Sequence, residues 1–455
     1  MKDIITKEKI FEKICISSRL NDLGFLIGSG FSKAIMEESG GLMPSWFELL
    51  KHLSEKFDID NVIFNEGATY PLIASKIIET VSLKEEVRGI DEANLIVKEA
   101  IANFVNKKPN KTVTSKYHEF FEEVKPNWIV TTNYDSIIEC VVGAEAYPIL
   151  PNYLFYNTKN ILPIYHIHGS ILEPSSIVIS NEDYAKMMRP SDYRHSRLPI
   201  LFKESTVLMI GYALGDLNVI SALDYRNNVY TNTSILDNCI IQLVYNKNIT
   251  EEKIYYKNNI YIYEYNDLTT FFNELLEYMK KYKSKIGKIT NEVDSKMKEF
   301  INEDNDYVND FIDEESDYRN KTIDFINKLD SSYCYIFTQY IPFLDRVFNK
   351  VMSSARIAGQ FSYYNDFFKI LLDLLKNLDV KSTSTVYLDF LIEKFCEIAP
   401  SIGDTMGCSY AAKGTWDNRK KEIPLDFIEA VKHNMASIEY VYNVDNLIED
   451  YYKDE

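Results

Sequence analysis

Asn133 and Asp135 stand two residues apart in WIVTTNYDSIIE (128–139), where an apolar run empties into Thr131, Thr132, Asn133, Tyr134 and Asp135 ahead of a helical pattern. A carboxamide and a carboxylate at a strand's end can orient a hydroxyl or a water; either could instead cap the helix, although capping uses only one of them. LPIYHIHGSI (162–171) carries His166 and His168 in alternation with apolar residues, so on a strand the two imidazoles share one face. No third ligand for a metal is evident in that segment. It points instead to one general base or hydrogen-bonding histidine, with a partly buried structural imidazole as the alternative for His166.

Two further segments bring glycine to strand ends. In LGFLIGSGFSKAI (23–35), Gly28 and Gly30 can take positive φ and let backbone N–H groups approach a ligand at the start of a helix. The third glycine of the dinucleotide fingerprint is missing, so an ordinary strand-to-helix corner explains the segment equally well. In VLMIGYALGD (207–216), a very apolar run ends at Gly211, and Asp216 follows a second glycine. Asp216 could reach a ribose or adenine, or cap a helix.

These residues need a scaffold that delivers strand ends to one edge. Apolar runs at 24–27, 128–131, 164–167, 177–179, 207–210, 239–244 and 260–263 alternate with helix-like segments, the pattern of an α/β fold with a Rossmann-like parallel sheet flanked by helices. In such sheets ligands bind at the carboxyl ends of the strands. Beyond about residue 290 the pattern turns helical, as in KTIDFINKL, FFKILLDLLKNL, TVYLDFLIEKFCEIA and LDFIEAVKHNMASIEYVY. The expected domains are therefore 1–287, α/β and site-bearing, and 288–455, an all-α region for oligomerisation, regulation or partner docking. The acidic run NEDNDYVNDFIDEESD (302–317) reads as a solvated helix face or linker.

The formal net charge of -18 argues against a sequence-independent nucleic-acid binder, which needs clustered Lys and Arg. No apolar run approaches a membrane span, and the amino-terminal MKDIITKEKIFEKI lacks the apolar core of a signal peptide. The six cysteines, at 15, 140, 239, 334, 396 and 408, contain no C-x-x-C pair. They read as thiols in a reducing cytoplasm rather than as a zinc or disulfide framework.

Taken in order, G-S-G-F-S at 28–32, T-T-N-Y-D at 131–135, I-H-G at 167–169 and G-Y-A-L-G-D at 211–216 resemble the sirtuin superfamily, in particular its bacterial SIR2-like NAD-hydrolysing branch. The resemblance covers residues 20–270 and implies NAD+ as substrate. It assigns Gly28, Gly30 and Ser32 to the diphosphate, with Ser29 and Thr132 also in the NAD-binding set. It puts Asn133 and Asp135 by the nicotinamide ribose, makes His168 the catalytic histidine, and gives Gly211, Tyr212 and Asp216 to the adenosine side. The family's deacylases carry a four-cysteine zinc module and a G-[IV]-P-D-F-R loop; this chain has neither, and GLMPSWFELL (41–50), with Pro44 and Trp46, looks like the P-x-W-x-x-L form of the SIR2-like branch. The resemblance thus implies an NAD+ glycohydrolase without zinc, in bacterial antiphage defence by NAD depletion and abortive infection. It further implies a homo-oligomer and a HerA-like ATPase or phage-derived trigger as partner. An NAD-dependent deacylase or ADP-ribosyltransferase, or a non-catalytic subunit that binds NAD or ADP-ribose, are the alternatives.

Overall fold

The computed structural model describes residues 6–59, 67–151, 161–187, 193–212, 219–224, 239–257, 259–302, 306–329, 331–358, 362–434 and 441–452. The chain folds as two compact units, residues 1–284 and 285–455.

The first unit is α/β. Its strands are β1 (Leu23–Ile27), β2 (Trp128–Thr131), β3 (Ala146–Ile149), β4 (Leu162–His166), β5 (Thr206–Ile210), β6 (Ile240–Tyr245), β7 (Lys253–Lys257) and β8 (Ile260–Tyr265). They form one eight-stranded sheet in the order β3-β4-β2-β1-β5-β6-β8-β7, parallel throughout except for β7. Strands β1, β2, β4 and β5 are buried along their whole length, as expected where helices cover both faces of a parallel sheet. Phe25 and Ile27 pack on one face with α1 (Lys7–Leu20), α2 (Ser29–Glu38) and α6 (Lys111–Val124). On the other face Leu26, Val130 and Met209 meet Leu198, Leu201 and Phe202 of a helix over Tyr193–Glu204. Helices α3 (Trp46–Lys56), α4 (Tyr70–Ser82) and α5 (Ile90–Val105) share a third apolar cluster with Tyr134, Ile177 and Ile179.

Register decides where the chemistry sits. Ile27 pairs with Thr131 and with Ile210, and Thr131 pairs with His166. The four strands carrying the sequence motifs therefore leave the sheet on one transverse row, so their next residues, Gly28, Thr132, Ile167 and Gly211, line a single carboxyl edge. The chain passes from β1 to strands on one side and later returns to β5 on the other, which makes β1 a topological switch point.

Three sequence expectations differ from the fold. Residues 177–179 are not a strand: Val178 donates to the His168 carbonyl, while Ile177 and Ile179 fill the α3–α5 cluster, so their apolarity serves helix packing. Strand β4 ends at His166, so His168 lies in the turn beyond it and the two histidines do not share a strand face. Strands β3 and β7 carry no apolar signal because they are the sheet's outer strands, one with Pro148 and the other mostly exposed.

The second unit is helical, as the amphipathic patterns predict. Its core gathers Phe343, Phe348, Phe367, Phe368, Phe395, Trp416 and Phe427. The acidic run includes a helix, Asp306–Ile312, that buries Val308 and Phe311 and turns its charges outward. Arg319 is buried against that helix's end, donating to the Phe311 and Ile312 carbonyls and to Asp373, which also accepts from Arg419. Among the described residues no helix is long and apolar enough to cross a membrane.

Gly24 pairs with Trp128 across the sheet, and a Cβ on it would lie 2.0 Å from the indole. The Trp128 ring cannot turn away freely because its Nε1 donates to Ser205 Oγ at 3.1 Å. Gly24→Ala is expected to destabilise the α/β unit by about 1–3 kcal/mol through overpacking, read as a lower midpoint in urea unfolding.

Candidate functional site

The site begins with a contact between backbones. Gly28 N–H donates to the Ile210 carbonyl and Gly30 N–H to the Gly211 carbonyl, each at 2.9 Å. A Cβ on Gly28 would lie 2.6 Å from Gly211 O, and one on Gly30 2.9 Å from Gly211 Cα; Gly211 itself has φ +61°. These glycines let the amino end of α2 close onto the end of β5. Two of the amides that the sequence offered to a phosphate are thus used inside the protein, and Phe31 N–H is bonded to the Gly28 carbonyl. Among the first-turn N–H groups, those of Ser29 and Ser32 are left without an acceptor among the described residues, at the positive end of the helix.

One turn into α2, Ser32 is buried beside the end of β2. Its hydroxyl donates to Asp135 Oδ1 at 3.0 Å and accepts from Asn133 Nδ2 at 3.0 Å. Asp135 Oδ1 also accepts from Ile137 N–H, so Asp135 both caps the short helix α7 (Ile137–Val142) and anchors Ser32. The chain of donors fixes the carboxamide: the Ser32 proton is committed to Asp135, so Ser32 can only accept from Asn133, and Nδ2 must be the atom facing it. Asn133 N–H donates to Thr131 Oγ1, whose hydroxyl donates to the Ile27 carbonyl. Among the described residues no donor reaches Asn133 Oδ1. Thr132 is half-buried on the same edge.

His166 lies under this loop with Nδ1 3.1 Å from the Asn133 carbonyl and Nε2 2.6 Å from Glu139 Oε1. It is the buried structural imidazole of the two. Burial disfavours its charged form, but the Glu139 hydrogen bond and charge, the Asn133 carbonyl and Asp135 together outweigh that and raise its pKa. His168 sits past the strand end, buried, its ring edge-on to Tyr184 at 5.4 Å. Its turn depends on Gly169, with φ +85° and no room for a Cβ against Ser176 O.

The helical layer reaches the same edge. Ser45 and Glu48 form a capping box at the start of α3, which sets Trp46 stacked on Tyr70 and edge-on to Tyr134. Tyr134 donates to the Val178 carbonyl at 2.7 Å. From α5, Lys98 donates to Asp183 at 2.9 Å in a pair almost wholly out of solvent, and Asp183 also accepts from the Ile179 and Ser180 amides. The segment packed against His168 is thereby fastened to α5. On the far side the Tyr212 carbonyl accepts from Gln242 Nε2 at 3.1 Å. Asp216 lies outside the described residues.

The structure therefore joins Ser32, Asn133 and Asp135 in one hydrogen-bonded unit and sets Gly28 and Gly30 against Gly211. Sequence reasoning missed Glu139, Tyr184, Gln242 and the Lys98–Asp183 pair. Glu139 was the most accessible of these, lying one helical turn beyond Asp135 in the same quoted segment. Among the described residues no group of three or more His, Cys, Asp and Glu could hold a metal ion.

Residues 127–263 match the family model of the SIR2-like domain. The match runs from just before β2 into β8; β1, the G-S-G turn and the helical unit lie outside it. It supports the sirtuin-like superfamily for this part of the chain, a family that uses NAD+, and is consistent with an NAD-utilising enzyme. No curated protein matches the chain. An amide at a helix amino end, a carboxamide oxygen that no donor reaches among the described residues, and a histidine share one sheet edge.

Burial pushes the Asp135 carboxyl up to about 6, against the lowering pull of the Ile137 and Ser32 hydrogen bonds. A raised folded-state pKa makes its contribution fully present below pH 3.8 and progressively lost as pH climbs through about 6. Asp135→Asn, which cannot ionise, should gain thermal stability relative to the parent between pH 4 and 6 and hold a constant difference above that, as read by melting temperature across pH.

Proposed function

We propose that the α/β unit is an NAD+ glycohydrolase that cleaves the nicotinamide–ribose bond to give nicotinamide and ADP-ribose, and that it serves bacterial antiphage defence by depleting NAD+. One observation carries the reading. Within the SIR2-like segment, Asn133 has its N–H, its carbonyl and its Nδ2 all held by the protein, so its Oδ1 is a fixed acceptor at the carboxyl edge.

NAD+ brings a glycosidic bond to a cationic nicotinamide, which departs neutral and needs no proton. The protein's task is then to position a nucleophile and stabilise charge. Asn133 Oδ1 accepts a hydrogen bond from a ribose hydroxyl or the attacking water. His168 takes the proton that this water releases. Asp135 acts one step back, holding Ser32 and through it the carboxamide. The Ser29 amide at the start of α2 suits a phosphate oxygen.

Unchecked, such an enzyme would exhaust its own cell's NAD+. The helical unit is the part available for control, whether through a homo-oligomer, a HerA-like ATPase or a phage-derived trigger. The setting is the bacterial cytoplasm, where the NAD+ pool is.

The test is nicotinamide and ADP-ribose release from NAD+ alone, with no acyl peptide, by the purified chain and by Asn133→Ala. Loss of one fixed polar contact at a reacting centre should lower kcat by about 10²–10³-fold in a variant that still folds, with the melting temperature lowered by the lost bond to Ser32. A folded Asn133→Ala that keeps most of its activity would sink the assignment. Turnover that appears only with an acyl-lysine peptide would favour the deacylase reading.

A further inference from the structure

His166 is the one histidine of the motif that the proposed chemistry does not use, yet it is among the most enclosed polar side chains of the sheet edge. Both of its nitrogens face acceptors. Nδ1 is 3.1 Å from the Asn133 carbonyl, an atom that can only accept, so Nδ1 carries a proton. Nε2 is 2.6 Å from Glu139 Oε1. A carboxylate there lets the ring carry its second proton and remain a donor at both ends.

The bond to Asn133 closes a clamp. Its N–H is fixed by Thr131, its carboxamide by Ser32, and its carbonyl by His166. The last of these settles the rotation of the peptide between Asn133 and Tyr134. That rotation matters on both sides: the side chain of Asn133 aims at the edge, and Tyr134 accepts from Ile171 N–H, in the turn that carries His168. Without a donor at Nδ1 the carbonyl would be buried without a partner and the peptide could turn, taking Asn133 Oδ1 out of line.

We propose that His166 and Glu139 are positioning residues of the site: Glu139 holds the His166 ring as an Nδ1–H donor, and His166 fixes the backbone of Asn133 in its working orientation. Neither touches substrate. This inference rests on the reading of the site given above.

The hold on the ring yields a test that separates positioning from bulk stability. Glu139→Leu removes the contact that orients the ring at Nε2, so the ring can turn and carry its Nδ1–H out of line with the Asn133 carbonyl. In Glu139→Gln the carboxamide can donate to Nε2, which keeps the proton on Nδ1. His166→Phe removes the donor outright. With NAD+ as the probe, the expected order is a kcat reduced at least tenfold in His166→Phe and severalfold in Glu139→Leu, with KM changed less than threefold and most of the Glu139→Leu loss rescued by Glu139→Gln. Amide hydrogen exchange supplies the second readout: exchange across 131–137 should quicken in His166→Phe and Glu139→Leu, but not in Glu139→Gln, while β5 and β6 keep the parent's protection.

Should His166→Phe fail to fold, the Glu139 pair carries the same comparison. Equal kcat in Glu139→Leu and Glu139→Gln overturns the proposal, as does unaltered exchange at 131–137 in either disrupting variant. If the parent binds NAD+ without cleaving it, the exchange comparison replaces kcat, and equal exchange at 131–137 in Glu139→Leu and Glu139→Gln overturns it. A parent that neither binds nor cleaves NAD+ overturns the site reading itself, and the proposal with it; that outcome is seen before any variant is made.

Discussion

The backbone contact at Gly28, Gly30 and Gly211 is the constraint on which the candidate site depends. A helix carrying side chains at its first turn would stand off from β5 by the thickness of a methyl group, because a Cβ at any of the three would fall within 3 Å of the opposing main chain. Closed to this distance, α2 brings Ser32 down to the level of the β2 loop, and only there can one hydroxyl serve both Asp135 and Asn133. The glycines do for packing what the sequence alone suggested they do for a ligand. Of the amides at the start of α2, those of Ser29 and Ser32 stay without an acceptor among the described residues.

Around Ser32 the protein encloses polar groups and pairs them. Asp135, Asn133 and His166 are each less than a tenth exposed, and every one meets a partner of the complementary kind. In such surroundings hydrogen bonds are electrostatically stronger than in water, and an unmatched group is correspondingly costly. The network therefore has few alternative arrangements of comparable energy, which suits a constellation whose job is to present one oxygen in one direction. The raised pKa values of Asp135 and His166 follow from the same enclosure and the same neighbours.

The sheet was legible where strands are buried along their whole length, since β1, β2, β4 and β5 announce themselves as largely apolar runs. It was illegible at its margins, where β3 and β7 have a neighbour on one side and solvent on the other. Ile177 to Ile179 misled because an apolar triplet records burial and not conformation; here it plugs a helical layer. Of the site, the strand-end residues could be read, because motif position and parallel pairing fix them. Their mutual bonding could not: that Asp135 serves Ser32, or that His166 holds the main chain of Asn133, depends on distances across 33 to 103 residues of sequence. The two histidines were told apart by the resemblance alone, which matches the one directly before glycine; that the strand stops at His166 was not readable.

The Lys98–Asp183 pair has a different bearing. Exposed pairs such as Lys51–Glu55 weaken as ionic strength rises, because mobile ions gather within a Debye length of each charge. Lys98 and Asp183 are sealed from those ions. A rise in salt, which loosens much of a protein's surface electrostatics, leaves the tie between α5 and the segment behind His168 intact, so the edge of the site keeps its shape as the ionic strength around it swings.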